Sequence, residues 1–108
     1  MNDYELRSLP FTEEERIDYQ KKIAEKISIM YKTKQITFSD MKDSADFALK
    51  YLPMVNTKGD LIMFFEAICV RYPFFNDMLV ISKNILVQSQ EEMEMNSIIE
   101  RMRAMANV

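Results

Sequence analysis

The side chains best placed to do chemistry in this chain are carboxylates set in rows. Asp40, Asp43 and Asp46 stand three residues apart, and Glu91 and Glu94 repeat the interval. On a helix each row keeps to one side. Two rows converging in a helical dimer could hold Mg²⁺, which takes oxygen ligands and the phosphates of a substrate. All-helical nucleotide pyrophosphohydrolases work in that style, but their full set of spaced Glu and Asp motifs is not present. Solvated helix faces and dipole-complementing first turns put acids in the same places. A Mg²⁺-dependent nucleotide hydrolase is therefore a rival reading, and no metal ligand is assigned.

Other chemistry has little to work with. The sequence holds no histidine, no tryptophan, one cysteine (Cys69) and one glycine (Gly59). Triad and Cys-His nucleophiles need an imidazole base. Zinc sites draw on His and Cys, and phosphate-cradling loops need several glycines. Cys69 lies in an apolar run, where a thiol behaves as a small hydrophobe. These absences point to binding rather than catalysis: a protein that is not an enzyme, with no cofactor.

A basic strip is the next candidate. Lys21, Lys22, Lys26, Lys32 and Lys34 could follow a nucleic-acid backbone. Glu14, Asp18 and Glu25 interleave with them, and no DNA- or RNA-reading motif accompanies them. A nucleic-acid-associated regulator is the second rival, and a solvated helix face the simpler account.

The composition suits one helical domain, residues 1–108. An apolar fraction of 48% is that of a folded chain, and a net charge of −3 gives no field for nucleic acid or anionic lipid. A lone cysteine makes no internal disulfide, which suits a reducing compartment. The opening MNDYELRSLP lacks the apolar stretch of a signal peptide. No apolar run approaches the length of a membrane span. A cytoplasmic, membrane-free protein is expected.

Helix punctuation is clear. Thr12 is followed by Glu15, Thr37 by Asp40 and Thr57 by Asp60, three candidate capping boxes. They predict helices over Glu13–Lys32, Phe38–Tyr51 and Lys58–Arg71, the second closed by Pro53 and the third by Pro73. Residues 1–11 read as an extended arm. The third helix, with Leu61-Ile62-Met63-Phe64-Phe65 and Ala67-Ile68-Cys69-Val70, is apolar nearly all round and predicted to be central. The aromatics Phe64, Phe65, Tyr72, Phe74 and Phe75 are expected to fill the core around it. A fourth helix should start near Asn76 or Asp77 and reach about Gln88. The run Gln88-Ser89-Gln90-Glu91-Glu92 is polar on every face, so either Ser89 caps a new helix or one helix runs through. The expected fold is all-α, a compact bundle of four to five helices with a central third helix and an amphipathic C-terminal helix.

That last helix carries the sharpest candidate site. Met93, Met95, Ile98, Ile99, Met102 and Met105 recur at heptad-like spacing. Polarisable, flexible Met side chains adapt to irregular partner surfaces, and an amphipathic helix docks through such anchors. Residues 89–108 either project from the bundle or fold back to close it. The reading is a protein–protein interaction module, such as a small subunit, adaptor or inhibitor. Met95, Ile98, Ile99, Met102 and Met105 are its contact residues, with Arg101 and Arg103 as rim charges. The expected partner is another protein or a second copy in a homodimer.

Overall fold

A computed structural model of the chain describes residues 2–107. Met1 and Val108, the outer ends of the arm and of the C-terminal segment, lie outside the described residues. Five α-helices follow one another: α1 (Asp3–Arg7), α2 (Glu13–Lys32), α3 (Phe38–Tyr51), α4 (Lys58–Arg71) and α5 (Met78–Ala106). Short 3₁₀ turns at Leu52–Met54 and Pro73–Phe75 link α3 to α4 and α4 to α5. The all-α bundle is as the helical patterning predicts.

All three capping boxes form. The Thr12, Thr37 and Thr57 hydroxyls accept from the N–H groups of Glu15, Asp40 and Asp60, and those carboxylates accept from the threonine N–H groups. Each box satisfies helix-start donors that would otherwise lack partners. Pro53 cannot continue a helix, so α3 tightens into a 3₁₀ turn there; Pro73 does the same after α4. The end of α2 has no glycine to turn on. Lys34 takes a left-handed conformation instead, φ 62°. The Gln35 N–H then donates to the Met30 carbonyl (2.8 Å) and the Lys34 N–H to that of Tyr31 (3.0 Å). This is the bond pattern of a Schellman stop, carried by a residue that pays for positive φ in steric strain.

The core centres on α4. Leu61, Phe65 and Ile68 are fully buried, and Leu52 and Phe75 from the two 3₁₀ turns close around them. Phe64, Phe65 and Phe75 are buried as expected, with Tyr72 and Phe74 partly covered against the cluster. The helix packs most extensively against α5, and also against α1 and α3, while α2 pairs with α3. Its surroundings are less complete than the sequence suggests. Met63 and Val70 are exposed, so one flank of α4 stays open to solvent.

The N-terminal arm departs from expectation. Residues 3–7 form a helix rather than part of an extended arm, with the Asn2 side chain accepting from the Glu5 N–H (2.8 Å) and Leu6 buried. A single turn is too short for periodicity to reveal; tertiary burial of Leu6 holds it. Beyond it the chain is stitched to the α3–α4 connection. Phe11 N–H donates to Asn56 O, Lys58 N–H donates to Leu9 O, and Pro10 bridges Thr57. Arg16, half-buried over the Phe11 ring, donates to the carbonyls of Leu52 and Val55. Gly59 stands where α1 crosses the first turn of α4; a Cβ there would lie 3.2 Å from Arg7.

Of the two alternatives at Ser89, the helix runs straight through: α5 is one helix of 29 residues, extending beyond the fourth helix's expected end near Gln88. At 1.5 Å per residue it is about 43 Å long, longer than the bundle is wide. The molecule therefore measures 62 × 26 × 21 Å, with a radius of gyration of 17.2 Å, against about 13 Å for a compact chain of this size. No helix among the described residues is long and apolar enough to cross a membrane.

Candidate interaction surface

α5 changes character along its length. Its first half buries Met78, Ser82, Ile85 and Ser89, which recur every three or four residues on one face. Leu79 and Leu86 pack beside them. The two buried serines are satisfied within the helix, Ser82 Oγ donating to Leu79 O (2.9 Å) and Ser89 Oγ to Ile85 O (2.8 Å). Ser89 thus serves as an interior residue bonded to the preceding turn, not as a cap.

Past Ser89 the bundle ends. Only Gln90 and Met93 are partly covered, and every other residue from Glu91 to Asn107 is exposed. Met95 is 52% exposed, Ile98 49%, Ile99 37%, Met102 65% and Met105 78%. A helix turns about 100° per residue. Met93, four residues after Ser89, continues the body-facing row and leaves the stripe. Met95, Ile98, Met102 and Met105 fall on the far side, aligned with the exposed Val80 and Val87, while Ile99 lies at the stripe's edge in line with the exposed Ile81. Asn84, Gln88 and Glu91 interrupt the apolar surface between the two groups.

Arg101 and Arg103 are exposed and lie one residue either side of Met102, flanking the stripe on both edges. Among the described residues neither makes an ion pair, and neither do Glu91, Glu92 and Glu94. Glu91, Glu92 and Glu94 open the segment, and Glu100 stands beside Arg101 and Arg103 toward its end.

A second apolar surface was not read from the sequence. The open flank of α4 and the end of α3 form a groove of about 730 Å³ lined by Phe47, Tyr51, Met54, Met63 and Val70. Its rim carries Asp60, Glu66 and Arg71. Within the run of α4 the single charge, Glu66, shares a helix face with Met63 and Val70, and it is the local signal that marks that face as outward.

The other candidates are dispersed. Asp40 is held in its capping box, and Asp43 and Asp46 are exposed. No group of three His, Cys, Asp or Glu side chains among the described residues is arranged to hold a metal ion. Lys26 bridges to Asp77 (2.6 Å), tying α2 to the start of α5, and Lys22 pairs with Asp18 on its own helix (2.8 Å). Lys21, Lys32 and Lys34 are exposed. Cys69 is buried and its thiol donates to the Phe75 carbonyl (3.1 Å). Burial pushes that thiol's pKa up, and Asp77 adds to the rise against the opposing charge of Lys26. A thiol so held is a poor nucleophile.

The Glu15 carboxyl is held low by a built environment. Burial alone would raise its pKa, but the hydrogen bond from Lys58, the Thr12 N–H and the Lys58 charge together take it below the ordinary value. The pair joins α2 to α4 and is a structural clamp.

Comparison with protein-family models, with curated proteins and with solved structures finds no match for this chain.

Proposed function

We propose that the chain is a non-enzymatic protein–protein interaction module, acting as a small subunit, adaptor or inhibitor through the far end of α5. The observation that carries this reading is the stripe Met95, Ile98, Ile99, Met102 and Met105, displayed on a helix that the bundle does not cover. A contiguous apolar face held out in water is costly unless a partner covers it. Burying it on a partner's surface would supply the affinity. Arg101 and Arg103 at its edges would set orientation and approach rate.

The test is a chain ending at Gln90. Its thermal melting is expected to remain cooperative, within about 0.5 kcal/mol of the full chain's stability, while association is lost. A loss greater than about 2 kcal/mol would place the stripe inside the molecule's own core and end this reading.

A further inference from the structure

We draw no further inference here: the strongest candidate, the apolar groove between the end of α3 and the open flank of α4, carries charges of both signs at its rim, Asp60 and Glu66 with Arg71, and nothing in the structure shows what covers it.

Discussion

The two halves of α5 contain similar residues and do opposite things. From Met78 to Gln90, Met78, Leu79, Ile85 and Leu86 point into the bundle, and Met78 and Ile85 are as buried as the core residues of α4. From Glu91 onward, an apolar row of comparable density points away from it. Periodicity records that a helix has a greasy side but not which way that side faces. The direction is set by where the bundle stops, and the bundle stops at the turn that contains Ser89. Local pattern and tertiary placement are thus separate facts about one helix, and the buried residues of α5 all lie in its first half.

The comparison breaks most easily with the same kind of change made in each half. Ile85→Asp sets an unpaired charge among buried apolar groups. It is expected to cost about 4 kcal/mol or more and to leave little folded protein in a urea titration. If the variant folds normally, the first half of α5 is not the core element described here.

A milder change sharpens the contrast by weakening only the bundle. Thr57→Ala removes the side-chain half of the box that starts α4, the helix against which α5 packs. The expected loss is about 1 kcal/mol, read as a lower denaturation midpoint. Association through the far end of α5 should not change, because the cap contributes no residue to the stripe.

Acid should act on the bundle through Glu15. Its carboxyl is held below the ordinary value in the folded protein. The stabilisation is therefore fully present above the ordinary carboxylate pKa and is lost as pH falls through the lower, folded value. Glu15→Gln should lower stability at neutral pH by about 0.5 kcal/mol, since the pair is only partly buried. The difference from the native chain should shrink as the pH is taken from 6 toward about 3. A constant difference across that range would mean that Lys58 does not favour the ionised form.

Much of the architecture is legible in the sequence because its boundaries are chemical. Thr12, Thr37 and Thr57 with their acids, and Pro53 and Pro73, mark α2, α3 and α4 to the residue. What escapes has a faint local signature or none. The single turn of α1 depends on Leu6 reaching the core. The end of α2 turns on Lys34, a residue type that does not announce positive φ. The open flank of α4 is marked by one charge, Glu66, in an otherwise apolar run. Ser89 is polar and buried at once, so the same residue reads as a break when it is an interior contact. For the candidate surface, the sequence supplies the residues of the stripe and its charges. Only the packed structure separates Met93 from it and turns Met95, Ile98, Ile99, Met102 and Met105 outward.

The smallest effect on stability is the most discriminating. Met102→Asp replaces a side chain that is 65% exposed and lies beyond the last buried residue of α5. No core atom loses a neighbour, and aspartate costs only helix propensity at that site. The bundle's melting should therefore shift by less than about 0.5 kcal/mol, a far smaller change than the same charge produces at Ile85. Its consequence should appear in hydrogen exchange instead. Where a partner covers the stripe the amides of residues 95–105 are sheltered, and the variant should expose them to exchange as fast as a fraying helix end. An equal destabilisation by Met102→Asp and Ile85→Asp would mean that the two halves of α5 belong to one core, and the division drawn at Ser89 would fall.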